Sequence, residues 1–191
     1  MIKRININLI EAEEILYYEL QGGFYIEAKE GISLISFLTD NCRLSDKYIS
    51  NKIKTIFHNG NPVDDLKTAR LRNGSVIALS GAMPGLVGAM MRIGSPYAAM
   101  RESITEKGGS IAETGRKIEV MLKLFNVVLK DLAGKFISRG VIMERAGIIR
   151  IIKKIEERTG SAFNFKIDNE KINSSEIAGL NEDKYIITVI T

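Results

Sequence analysis

Cysteine and histidine occur once each in this chain of 191 residues. A lone cysteine, Cys42, excludes an internal disulfide and any metal site built on several thiolates. A lone histidine, His58, has no cysteine or histidine neighbour to complete a zinc site. Both read as structural residues, Cys42 as a half-buried small side chain near a helix end and His58 as a polar residue at a strand end. No charged segment followed by an apolar core opens the chain, so no secretory signal is expected. No run of about 20 apolar residues is present to span a bilayer. The expectation is a cytoplasmic, reduced protein. Nor does a catalytic constellation, a metal site or a cofactor motif stand out. Asp64-Asp65 and the cluster Glu11, Glu13 and Glu14 read as solvated surface, because adjacent carboxylates point apart.

Charge of one sign is also scarce. The net charge is +4, with ten basic and ten acidic groups in residues 1–91, a surplus of +6 in 92–160 and −2 in 161–191. The basic stretch lacks clustered Lys and Arg interleaved with aromatics, so it reads as solvated faces and no nucleic-acid partner is expected.

What is present is a set of strand-like runs punctuated by turn residues. "KRININLIEAEEILYYEL" and "FYIEAKEG" flank Gly22-Gly23 and predict a hairpin. Residues 33–40 predict a short helix with Leu34, Ile35, Phe37 and Leu38 on its apolar side. Asn59-Gly60 and Asn73-Gly74 mark turns around two further strands, the second over 75–80. Downstream, "KIEVMLKLFNVVLKDLAGKFI" predicts strand, turn at Ala133-Gly134, and strand. "RAGIIRIIKKIEERTG" predicts an amphipathic helix with Ile148, Ile149, Ile151, Ile152 and Ile155 on one side and Gly160 as its stop. "AFNFKIDNEKI", leading to Asp168-Asn169, and "NEDKYIITVI" complete the pattern as strands. The order strand, strand, helix, strand, strand thus occurs twice. As an internal repeat, residues 15–24 lie over 127–136, matching Leu20, Gly22 and Phe24 to Leu132, Gly134 and Phe136. Residues 63–78 lie over 172–187, matching Ala69 and Leu71 to Ala178 and Leu180.

Asn59-Gly60, Val63, Leu71, Asn73-Gly74-Ser75 and the apolar run 76–79 together resemble the second half of a β-grasp, ubiquitin-like domain. The type is that of the thiamine and molybdopterin sulfur carriers. The likeness covers residues 54–81, with a weaker second copy through Asp168-Asn169, Ile172, Leu180 and Glu182-Asp183. It implies an α+β fold of two β-grasp-like ββαββ units, residues 1–81 and 116–191, joined by a short helical linker over 82–115. It does not carry the carriers' activity, which needs a free Gly-Gly tail. The equivalent place here, Pro84-Gly85, continues into more chain.

That continuation, "SGAMPGLVGAMMRIGSPYAAM" over 80–100, is rich in glycine and methionine and almost uncharged. Pro84 suits a helix start, and Ser95-Pro96 suits a second helix ending at Gly108. Four readings follow. The segment packs between the halves. It docks a protein partner or a second copy through Leu86, Val87, Met90, Met91 and Tyr97. It holds an anion or nucleotide at Gly81, Gly85 and Gly88 with Arg92 and Arg101. Or it lies on a membrane surface, against which Arg92 and the glycines count. The leading expectation is a non-enzymatic binding or adaptor module acting through this apolar surface. The alternative is a component of a carrier or enzyme pathway holding an anionic small molecule at the glycine-rich turn.

Overall fold

A computed structural model describes residues 2–7, 10–109, 111–168 and 170–189, with the backbone alone over 10–14. The side chains of Glu11, Glu13 and Glu14, and the whole of Asn169, therefore lie outside the described residues. The elements run β1 (Arg4–Ile7), α1 (Ile10–Gly22), β2 (Phe24–Lys29), α2 (Leu34–Ser36, continued by a π-turn over Phe37–Asn41) and α3 (Asp46–Lys52). Then come β3 (Thr55–His58), β4 (Asn61–Pro62), β5 (Val76–Ser80) and α4 (Gly85–Met91), followed by a 3-10 segment, Ala98–Ile104. β6 (Lys117–Leu124), α5 (Asn126–Arg139), β7 (Val141–Glu144), α6 (Arg145–Thr159), β8 (Asn164–Ile167), β9 (Glu170–Asn173) and β10 (Lys184–Val189) finish the chain.

The α+β class is as expected, but two segments expected as strand-turn-strand differ. Residues 10–22 are helix because the buried positions Ile15, Leu16, Glu19 and Leu20 recur at a spacing of four, not two. Gly23, at φ 117°, is the stop of that helix and not the turn of a hairpin. Residues 126–139 are helix for the same reason: Val128, Leu129, Leu132, Ala133, Phe136 and Ile137 are buried, and Ala133-Gly134 lies in mid-helix. Its stop is Gly140, at φ 90°. Of the matched stretches 15–24 and 127–136, residues 15–22 overlie helix on helix, whereas Phe24 opens β2 and its match Phe136 lies inside α5. β7 is a strand that the sequence reading missed.

Elsewhere the local signals hold. Ser33 accepts a hydrogen bond from Ser36 N and caps α2, with Leu34, Phe37 and Leu38 buried beyond it. Cys42 closes this segment and is buried. Asn59 and Gly60, both at positive φ, make the two-residue turn between β3 and β4. α6 buries Ile148, Ile151, Ile152 and Ile155 and ends at the left-handed Gly160. No helix of the described residues is long and apolar enough to cross a membrane.

The residues form two compact units. One takes 1–24 and 130–191, and the other, 25–129, is inserted between those pieces. In the first unit the strand order is β7-β10-β1-β8-β9, with β1 and β10 parallel. α1 packs on α6. Glu19 on α1 is nearly enclosed and accepts from Lys154 Nζ at 2.9 Å and Arg150 Nη2 at 3.1 Å.

In the second unit the order is β4-β3-β5-β6-β2. β3 is antiparallel to β5 and β5 is parallel to β6. A parallel neighbour cannot be reached by a hairpin, so the chain between β5 and β6 must cross over. The segment 82–115, expected to join two halves, is that crossover inside one unit. It is pinned along its length by backbone hydrogen bonds, Ile93 N to Lys54 O, Glu106 N to Pro62 O and Thr114 N to Glu30 O. One sheet face, with Ile56, Ile77, Leu79, Val120, Leu122 and Leu124, is buried as core. The alternate residues Phe57, Val76, Ala78, Met121 and Lys123 form the other, half-exposed face.

Candidate functional site

The crossover begins in a tight corner. Gly81 N donates to Asn126 Oδ1 at 2.8 Å, and Asn126 Nδ2 donates to Ser80 Oγ at 2.6 Å. A Cβ on Gly81 would stand 2.5 Å from Val127 Cγ1, so the first glycine is there for close approach. Gly88 is buried against the backbone of Met83, while Gly85, at φ +76°, faces open space. The expected anion cradle loses two parts here. The Gly81 N–H is already engaged, and α4, at seven residues, is a short helix.

Arg101 is a third part that the expected cradle loses. It is 2% exposed. Its guanidinium donates to Met90 O (2.6 Å), Thr105 Oγ1 (2.8 Å), Asp64 Oδ1 (2.7 Å) and Arg92 O (3.3 Å). A guanidinium so enclosed fastens the crossover to the 63–65 turn and is not presented to a ligand. Arg92 is half-buried, and its Nε has no hydrogen-bond partner among the described residues. Asp64 is the counter-ion of Arg101 and not part of a free carboxylate pair. Asp65 is exposed and accepts from Lys67 N, which lowers its pKa.

With Arg101 as its fastener, the crossover exposes apolar side chains. Leu86, Val87, Tyr97, Met100 and Ile104 are between 46% and 65% exposed. Of the residues expected on a partner surface, Leu86, Val87 and Tyr97 are open, and Met90 and Met91 are half-buried. Met100 and Ile104, at helical spacing from Tyr97, extend that surface and were not among the expected residues.

His58 sits at the end of β3 as expected, but it is buried. Val76 N donates to Asn59 Oδ1, which leaves Asn59 Nδ2 to donate to His58 Nε2 at 3.2 Å. Ser75 Oγ lies 3.1 Å from the same nitrogen. The neutral ring therefore carries its proton on Nδ1, facing Glu106 Oε1 at 3.6 Å. Burial lowers the His58 pKa, and Arg72 adds to this while Glu106 opposes it. The arrangement has the order of a Ser–His–acid relay, yet Ser75 is 1% exposed and accepts from Arg72 N. It closes the 72–75 turn and offers no accessible nucleophile. Among the described residues, no group of three or more His, Cys, Asp and Glu is placed to hold a metal ion.

A cleft of about 620 Å³ opens on the half-exposed sheet face of the second unit. Ala78, the small residue on central β5, lies between its register partners Phe57 on β3 and Lys123 on β6. Val76, Met83 and Phe125 add apolar wall, and Ser80 lies one pleat on from Ala78. No family model, curated protein or solved structure matches this chain.

Proposed function

We propose that the protein is a non-enzymatic binding module whose crossover docks another protein. The observation that carries this is the run of open apolar side chains Leu86, Val87, Tyr97, Met100 and Ile104 on a segment locked by buried Arg101. Exposed apolar groups concentrated on a fixed frame mark interaction surfaces more often than scattered single residues do. Charge favours the kind of partner. Residues 25–129 hold fourteen basic and ten acidic groups, and the remainder thirteen of each, so the whole surplus of +4 falls on the docking unit. Two copies would repel through it, whereas a partner with acidic groups around an apolar contact would be attracted.

The β-grasp reading belongs to this proposal. Its support is a mixed sheet with helical segments after β2 and a closing strand, β5, that follows the Asn73-Gly74 turn. Anion binding at the glycine-rich turn is the weaker reading, since Gly81 N–H and Arg101 are engaged. The test is site-specific photo-crosslinking from position 86 or 100, followed by binding of the captured protein to purified variants. Met100→Glu is expected to weaken that complex at least about tenfold. Tyr18→Glu, exposed on the other unit, should leave it intact. Equal binding by both variants, or light scattering that gives a dimer at micromolar protein, removes the proposal.

A further inference from the structure

We infer that the sheet-face cleft of the second unit is a small-molecule site, taking a monocarboxylate with an apolar alkyl or aryl body. This goes beyond the docking reading and does not depend on it. At about 620 Å³ the cleft is in the range of ligand pockets, which are largely apolar with a few placed polar groups. Its origin is local. Ala78 leaves the middle of the face low, while Phe57 on one side and Lys123 on the other stand above it. Phe125 and Met83 extend the apolar wall.

The polar groups specify the head of the ligand. Asn126 also lines the cleft, but its amide oxygen and nitrogen are engaged by Gly81 N and Ser80 Oγ. Ser80 Oγ accepts that bond, so its own proton has no acceptor among the described residues. Lys123 is half-buried, and its ammonium has no partner among them either. The groups left without a partner include two donors, the Ser80 hydroxyl and the cationic Lys123 ammonium. A cationic head would meet these donors with no acceptor, and a neutral one would accept from them without neutralising the ammonium, whereas a carboxylate offers both acceptor oxygens and the counter-charge. Phe57, Val76 and Phe125 then cover the apolar body.

The experiment uses the full chain with 4-phenylbutyrate, decanoate and the uncharged control 4-phenylbutanol. Binding is followed by calorimetry and by backbone amide shifts. The acids are expected to bind with Kd on the order of 10–100 μM. The alcohol should bind about tenfold more weakly or worse. Shifts should centre on Ala78, Ser80 and Phe125. Lys123→Met should cost the acids about tenfold and leave the alcohol unchanged, with Lys123→Arg restoring them. Ala78→Leu should fill the cleft and abolish binding. A circular-dichroism melt checks that this variant folds, and the half-exposed Lys123 series decides the matter if it does not. The inference is overturned if acid and alcohol bind alike or neither binds at millimolar concentration. It is also overturned if the shifts fall elsewhere, or if folded Ala78→Leu binds undiminished.

Discussion

Arg101 is a buried cation with four hydrogen bonds to groups that are far apart in sequence, from Asp64 to Thr105. Replacing it with Met keeps the volume but leaves two carbonyls, a hydroxyl and the Asp64 carboxylate without their donor. Arg101→Met is therefore expected to destabilise the protein by about 2–4 kcal/mol in a denaturant titration. His58 makes a pH-dependent contribution. Its folded pKa is lowered from 6.5, so between that value and the folded one the unfolded chain binds the extra proton. Stability is full above the unfolded pKa and declines as pH falls through the window below it. The melting temperature of wild type should drop as pH falls below about 6.5, and that slope should flatten in His58→Gln. Neither role was legible in the sequence. An arginine in a 3-10 turn and a histidine at a strand end look the same whether enclosed or solvated, and only the partners brought by the fold decide.

At the scale of elements, the corner between β5 and α5 gives a coupled test. Gly81→Ala puts a methyl 2.5 Å from Val127 Cγ1, a side-chain atom. It is expected to cost about 1–3 kcal/mol, and Val127→Ala in the same chain should recover part of that. A wholly additive pair would contradict the contact. The pairing of α1 with α6 gives a second test. Burial raises the Glu19 pKa, but hydrogen bonds from Lys154 and Arg150, with their charges, outweigh it and leave it lowered. The ionised group is favoured in the fold, so its contribution is present above about pH 4.5 and lost as pH falls through the folded pKa. Glu19→Gln should lower stability at neutral pH by about 1–2 kcal/mol and remove that acid-side decline. Turn and stop signals at Asn59-Gly60 and Gly160 were readable because a few backbone angles dictate them. The helices at 10–22 and 126–139 were misread because β-branched and aromatic residues suggested strands. Burial at a four-residue spacing, and not composition, decided the outcome.

At the scale of the molecule, the insertion of 25–129 into the first unit makes a prediction about fragments. The inserted unit holds five consecutive paired strands and a core of its own, so residues 25–129 alone should melt cooperatively. Removing 1–24 takes β1 from between β10 and β8, the middle of the first unit's strand order. That deletion should leave no folded signal from 130–191 in an amide correlation spectrum.

By itself the amino-acid sequence determined the mixed α+β class, the turns, the amphipathic helix α6 and the unusual character of 80–100. Each of these depends on backbone preference or periodicity within a few residues. Tertiary structure alone decided that 82–115 is a crossover within one unit, that Arg101 is enclosed, and that Ala78, Ser80 and Lys123 share a cleft. The reason is the parallel pairing of β5 with β6. It places residues more than forty positions apart on one face of one sheet, a distance over which local propensity carries no information.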